Sequence, residues 1–253
     1  MKITFLGTGT SQGIPVIGCQ CAVCKSDNPK DDRLRTSVLC SFNNKQLVID
    51  TGPDFRQQML RADVQELHAV LFTHEHKDHV AGLDDVRAFN FKQKIDMPLY
   101  ASEKVECQLR QEFFYAFANV KYPGVPRLTF NRLENEPFQL FDKTITPIEV
   151  MHYKLPVFGF RIDDFTYITD ASYISDEEKE KIKGSAVLVI NALRNEEHIS
   201  HFNLEQALEL IEELKPQKAY LTHISHYLGK HDDVVAKLPS HVSIAYDGLT
   251  ITI

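Results

Sequence analysis

The chain is predicted to fold as one compact α/β unit, and three observations lead there. β-rich runs come first, and strand-helix alternation then follows twice over. No Ser/Gly-rich linker or low-complexity segment divides the 253 residues. Hydrophobic residues make up 43% and charged residues 25%, enough for one sizeable core, which excludes a disordered, collagen-like or coiled-coil chain.

Each element can be read in order. Lys2 to Leu6 alternates as a buried strand and runs into the turn Gly7-Thr8-Gly9-Thr10. Thr36 to Phe42 and Gln46 to Asp50 are β-rich runs joined by Asn43-Asn44, a hairpin signal. Pro53 suits a first helical turn, which predicts a helix over 54 to 62. The apolar run His68 to Phe72 delivers the chain into Thr73-His74-Glu75-His76-Lys77-Asp78-His79, and a helix is expected from Leu83 through Val86, Phe89 and Asn90. Val105, Leu109, Phe113 and Phe117 stand at fourfold spacing and predict one long helix over 102 to 118. Short strands fill Leu128 to Ile168, and Ala186 to Ile190 is another buried strand. Asn203 and Gln206 make a capping box for a helix to Leu214. Lys218 to Leu221 then repeats the strand theme and ends in Thr222-His223, an echo of Thr73-His74.

Charge and cysteine usage narrow the function classes. With 28 Lys and Arg against 35 Asp and Glu, the formal charge is -7, which argues against a surface built to neutralise nucleic-acid or membrane phosphates. Three of the 5 cysteines fall at Cys19, Cys21 and Cys24. An odd count clustered in this way reads as a metal clip in a reducing compartment rather than a disulfide framework. The N-terminus lacks a signal-peptide pattern, and no run approaches the roughly 20 apolar residues of a membrane span. A cytoplasmic location without membrane attachment is expected.

His74-x-His76-x-Asp78-His79 sets four metal-competent side chains within six residues, directly after a buried strand. In an extended turn, His74 and His76 can share one ion while Asp78 and His79 turn towards another. Imidazole nitrogen with one carboxylate suits Zn²⁺, Mn²⁺ or Fe²⁺.

This segment resembles the H-x-H-x-D-H signature of the metallo-β-lactamase superfamily of binuclear metallohydrolases. Asp50, His152, Asp170 and His223 follow at strand ends in the family's order. The resemblance implies an α+β fold, a four-layer αββα sandwich with two mixed β-sheets flanked by helices, as a single domain over 1–253. It further implies that His74, His76 and His152 bind one metal, that Asp78, His79 and His223 bind a second, and that Asp170 bridges them. Taken singly, His152 could be a satisfied turn histidine and Asp170 a helix cap.

The three thiolates need a fourth ligand, and His226 lies three residues past His223. Cys19, Cys21, Cys24 and His226 together resemble the structural zinc site of the phosphoribosyl 1,2-cyclic phosphate phosphodiesterase branch, with the zinc loop at 19–24. That branch also places a non-ligating histidine in its active site. His201 matches it, with His198 as the nearby competitor.

The resemblance therefore implies a phosphodiesterase acting on a small, cyclic phosphodiester, with two catalytic divalent metals (Zn²⁺ or Mn²⁺) and one structural Zn²⁺. A shared water of lowered pKa would attack phosphorus, Asp78 would orient it, and His201 would protonate the departing alkoxide. A homodimer is left open. Rival readings are a nuclease similar to the tRNA 3′-processing ribonucleases, which the acidic charge and the lack of a basic arm disfavour, and a non-catalytic metal-binding or redox module. Arg87, Tyr115 and Lys121 are candidates for a substrate-facing surface, while Arg35 and Arg56 read equally well as ion-paired surface residues.

Overall fold

The computed structural model describes residues 1–120 and 122–253, so Lys121 lies outside the described residues. Two seven-stranded mixed sheets form the centre. The first is built from β1 (Lys2–Gly7), β2 (Ser37–Phe42), β3 (Lys45–Ile49), β4 (Ala69–Leu71), β5 (Met97–Ala101), β6 (Leu128–Arg132) and the C-terminal β14 (Thr250–Thr252), in the order β14-β1-β2-β3-β4-β5-β6. The second comprises β7 (Phe138–Leu140), β8 (Lys143–His152), β9 (Leu155–Ile162), β10 (Phe165–Tyr167), β11 (Val187–Asn191), β12 (Lys218–Thr222) and β13 (Val242–Ile244), in reverse chain order. The Asn43-Asn44 hairpin forms as read, with both residues at positive φ, 46° and 59°, which the right-handed strand twist favours in a two-residue turn.

Three apolar clusters define the layers. Ile3, Phe5, Val38 and Leu47 of the first sheet meet Phe160, Ile162, Tyr167 and Val189 of the second in the central core. On the outer face of the first sheet, Phe55 and Met59 of α1 (Phe55–Arg61), Phe89 of α3 (Arg87–Gln93) and Val105 and Leu109 of α4 (Glu103–Glu112) pack on Val48, Val70 and Leu99. Across the second sheet, Ile182 of α6 (Asp176–Ile182) and Ala207, Leu210, Ile211 and Leu214 of α7 (Leu204–Leu214) cover Leu188, Ile190 and Leu221. Helix, sheet, sheet, helix is the αββα sandwich. The Asn203 capping box opens α7 as the pattern required, with the Gln206 side chain accepting from the Asn203 backbone at 3.0 Å.

Several boundaries differ from the sequence reading. Residues 102 to 118 do not form one helix: the backbone leaves helical geometry at Phe113 (φ -107°, ψ 36°) and resumes as α5 (Phe114–Phe117). This break accompanies contacts a periodicity reading does not contain, namely Tyr115 donating to Asp84 at 2.6 Å and Phe117 stacked on Phe130 at 5.4 Å. The helix expected from Leu83 begins as a 3₁₀ turn, Leu83–Val86, before α3. Pro53 precedes the N-cap Asp54 instead of occupying the first turn, because Asp54 is held by Arg35 at 3.1 Å. The strands between 128 and 168 are not all short: β8 has 10 residues and β9 has 8, paired from Ile145 with Ile162 to His152 with Leu155.

Strand direction decides where the site forms. β3 and β4 are parallel, so their C-terminal ends deliver Asp50 and Thr73-His74 to one edge. β10, β11 and β12 are parallel too, and β8 runs with β10 because β9 is antiparallel to both. His152, Asp170 and His223 therefore leave the second sheet at a common edge, the usual place for ligands in sheets of this kind.

Candidate metal centre

The metal-type motif is not a fully extended turn. His76 is extended (φ -64°, ψ 149°) and caps α2 (Lys77–Val80), a single helical turn that carries Asp78 and His79. Backbone bonds staple this turn to the end of β3: Thr51 N donates to His79 O and Gly82 N to Thr51 O, both at 2.8 Å. The approach is close enough that a Cβ on Gly52 would lie 2.1 Å from the Asp78 carbonyl oxygen. Two ion pairs tie the same loop to α4, Glu75 with Lys104 at 2.7 Å and Lys77 with Glu112 at 2.6 Å.

Side chains converge in the pattern the motif suggested. Potential ligand atoms of His74, His76 and His152 lie within 4.8 Å of one another, as do those of Asp78, His79, Asp170 and His223. Asp170 also falls within a group with His152 and His201, which puts its carboxylate between the two sets. Three imidazoles are anchored through Nδ1: His74 to Thr73 Oγ1 at 3.0 Å, His79 to Asp50 at 2.7 Å, and His152 to the Ser200 carbonyl at 2.8 Å. Such anchoring leaves Nε2 to face the cluster. The buried Nε2 atoms of His74 and His79 have no hydrogen-bond partner among the described residues. Orphaned nitrogens of this kind, beside two carboxylates, fit divalent cations.

The electrostatics divide the histidines: against its burial, the carboxylates of Asp170, Asp78 and Asp50 push His79 up, whereas the other three move down. Burial pushes the His74, His152 and His223 imidazoles down, His223 to about 4, which keeps their lone pairs free at neutral pH. Burial opposes charge on Asp78 and Asp170, yet neighbouring histidines hold both carboxyls below their usual range. Part of the chain's left-handed backbone falls here as well. Asp50, Asp170 and His223 all take left-handed backbone at φ 65°, 56° and 56°, a conformation that non-glycine residues adopt at a cost of about 1–2 kcal/mol.

Between the two candidate loop histidines, the structure places His201 at the cluster. Its Nε2 is 3.1 Å from Asp170, and its ring lies 4.6 Å from His152 and 4.9 Å from His223. His198 stands behind it, with its Nδ1 3.2 Å from that of His201.

A second cluster joins the N-terminal loop to the segment after β12. The Sγ atoms of Cys19, Cys21 and Cys24 stand 3.3, 3.5 and 3.3 Å from His226 Nδ1. Tetrahedral zinc, with Zn–S near 2.3 Å and Zn–N near 2.0–2.1 Å, would separate sulfur from nitrogen by about 3.5 Å. Donor set and spacing both fit a closed Cys₃His site. The loop reaches the larger cluster too, since Thr10 Oγ1 is 3.1 Å from His223 Nε2.

Arg35 is ion-paired with Asp54, and Arg87 and Tyr115 both engage Asp84, at 3.0 and 2.6 Å. The sequence reading gave Asp50 a place in the motif order but no task. Its fully buried carboxylate accepts from Thr73 N and Thr73 Oγ1, both at 2.8 Å, as well as from His79. Also unforeseen was a buried polar group in which Arg33 donates to Thr8 Oγ1, the Ala245 carbonyl and His231 Nδ1. An arginine that follows two aspartates in a loop gives no local sign that it will be enclosed. No described helix is long and apolar enough to cross a membrane.

A family model described as a beta-lactamase superfamily domain matches residues 45–224. The chain is 40% identical over 252 residues to a protein of Porphyromonas gingivalis named Octanoyltransferase, covering 98% of this chain and 51% of that protein; it thus spans about half the length of that relative. It is 28% identical over 166 residues to Exodeoxyribonuclease YycJ of Bacillus anthracis, covering 59% of this chain and 55% of the other. Among solved structures, it superposes on a diphosphatase from the PhnP family with TM-score 0.93 and 38% identity, over 100% of this chain and 97% of that one. Zinc-bound PqqB from Methylobacterium extorquens shares the fold, with TM-score 0.81 and 19% identity over the full length of both chains. Family match, superposition and strand-end cluster agree that the chain belongs to the metallo-β-lactamase superfamily and to its PhnP branch.

Proposed function

We propose that the protein is a metal-dependent phosphodiesterase that hydrolyses a small phosphodiester, cyclic ones included, using two divalent cations at the strand-end cluster and a structural Zn²⁺ at the Cys₃His clip. The observation that carries this reading is the convergence of His74, His76 and His152 on one side, and Asp78, His79 and His223 on the other, about Asp170. Cations held by these residues would supply hydroxide at neutral pH and would offset the negative charge that builds on phosphorus. Similarity to a PhnP-family diphosphatase supports phosphoryl chemistry.

The protein's own groups do the rest. Asp78 is at the cluster with a depressed carboxyl pKa, and as an acceptor it orients the attacking oxygen. Asp50 fixes the His79 ring by accepting from Nδ1–H. His201, held between Asp170 and Ser200, hands a proton to the departing alkoxide. A net charge of -7 favours a small substrate over a long polyanion. Acyl transfer is not carried over from the Porphyromonas relative, because its name describes a protein of which this chain spans about half.

The test is hydrolysis of bis(p-nitrophenyl) phosphate by Mn²⁺- and Zn²⁺-loaded protein, set beside a β-lactam and a thiolester. Phosphodiester turnover that exceeds both is expected. Silence towards phosphodiesters with every metal, while the thiolester or β-lactam is cleaved, refutes the reading.

A further inference from the structure

Two cavities open on the metal-type cluster, and their charges differ. One of about 560 Å³ reaches His74 and is lined by Glu75, Glu103, Glu134 and Glu149 against a single cation, Lys104. The other, of about 470 Å³, reaches His76 and His152 and is lined by Lys104 and Lys154, with no carboxylate among the described residues that line it. A phosphate-bearing ligand is repelled from the first and drawn into the second, because like charges in a cleft with low-dielectric walls interact strongly.

The second cavity also carries apolar surface. Tyr153 sits at the β8–β9 turn with φ 58°, its backbone N–H donating to Ser172 Oγ at 3.0 Å, so the side chain is held outward and is 49% exposed. Ile199, from the loop that carries His201, lines the same cavity and is 69% exposed. Lys154 Nζ lies 5.2 Å from the Tyr153 ring centroid, so the aromatic ring and the cation form one surface. A bare sugar phosphate would leave both apolar side chains in water. A planar base would cover them, as aromatic platforms cover bases in nucleic-acid-binding proteins.

We propose that Tyr153, Lys154 and Ile199 form a specificity subsite for a nucleotide, with its base against Tyr153 and Ile199 and a second phosphoryl group beside Lys154. This rests on the phosphodiesterase reading above and names the substrate class for that site. The subsite lies beside His76 and His152, so a ligand seated in it presents its scissile phosphate to the metal-type cluster.

Steady-state kinetics of the Mn²⁺-loaded protein test it with three probes: adenosine 2′,3′-cyclic phosphate, the same compound carrying a 5′-phosphate, and a base-less ribose cyclic phosphate. Tyr153→Ala should raise KM for both adenosine compounds about tenfold relative to the base-less one. Lys154→Ala should raise KM selectively for the 5′-phosphorylated compound. Equal effects of Tyr153→Ala on all three probes, or of Lys154→Ala on both adenosine compounds, overturn the subsite. Should no probe be hydrolysed, the phosphodiesterase reading fails separately, and calorimetric binding of adenosine 5′-monophosphate to the same metal-loaded proteins still decides the subsite. A roughly tenfold weaker Kd in Tyr153→Ala supports it; no binding, or an unchanged Kd, overturns it.

Discussion

Asp50 accepts a hydrogen bond from His79 Nδ1 at 2.7 Å, and both side chains are wholly enclosed. The carboxylate comes from the end of β3 and the imidazole from the turn after β4, so two neighbouring parallel strands share the task of aiming one nitrogen. Asp50→Asn keeps the left-handed backbone, which asparagine tolerates, but presents an amide donor or a weaker acceptor to the ring. Metal affinity and phosphodiester turnover should fall about 10- to 100-fold with the fold retained, as loss of a supporting partner does in other metal sites. Metal titration followed by activity measurement checks this, and wild-type affinity in the variant would remove Asp50 from the site's architecture.

Asp170 stands between both sets of ligands, so its loss should disable the centre as a whole. Asp170→Asn is preferable to alanine because φ is 56° there. Turnover should drop by at least about three orders of magnitude, as when a reaction loses a main source of charge stabilisation, while circular dichroism is unchanged. Near-wild-type activity in metal-replete Asp170→Asn or His223→Ala would be incompatible with the two-metal scheme.

The clip and the larger centre should separate experimentally. Wild-type protein is expected to hold about three metal ions per chain, and Cys21→Ser about two, with a lower melting temperature and a smaller change in turnover. Elemental analysis against protein concentration gives the count. A count of two in both proteins would eliminate the clip as a metal site.

Close approach makes Gly52 a sensitive position. A methyl there meets the Asp78 carbonyl oxygen at 2.1 Å, so the helical turn bearing Asp78 and His79 must move. Gly52→Ala should therefore cost metal affinity and activity more than tenfold, since small misplacements of catalytic groups are expensive. Equal metal binding by variant and wild type would show that the turn relaxes without consequence.

His231 sets a pH dependence of stability. Burial, with Arg33 and Lys30 nearby, pushes its imidazole down to about 4, and its Nδ1 accepts from Arg33 at 3.2 Å, which requires the neutral ring. Between about 6.5 and 4 the unfolded chain therefore takes up a proton that the folded chain refuses. The contribution is complete above pH 6.5 and is lost as pH falls towards 4, about 3 kcal/mol at most. His231→Asn retains an acceptor without titrating, so denaturant melts should show a shallower fall in stability from pH 7 to 4.5. Parallel curves for the two proteins would contradict the assignment.

Local residue order was enough to reveal the H-x-H-x-D-H segment, the cysteine cluster, the Asn43-Asn44 hairpin and the α7 capping box. Each rests on short-range spacing, where ligand geometry, turn dihedrals or helix capping act within a few residues. Helix continuity was less legible: the break at Phe113 accompanies contacts of Tyr115 with Asp84 and of Phe117 with Phe130, which lie far apart in the chain. Tertiary structure alone gave Asp50 its partner, put His201 rather than His198 against Asp170, and enclosed Arg33 beside His231. It also set an acidic cavity beside His74 and a basic one beside His76 and His152. The physical reason is common to all of these. Strand direction and inter-sheet packing bring together groups separated by tens to hundreds of residues, and no local pattern encodes which of them will meet.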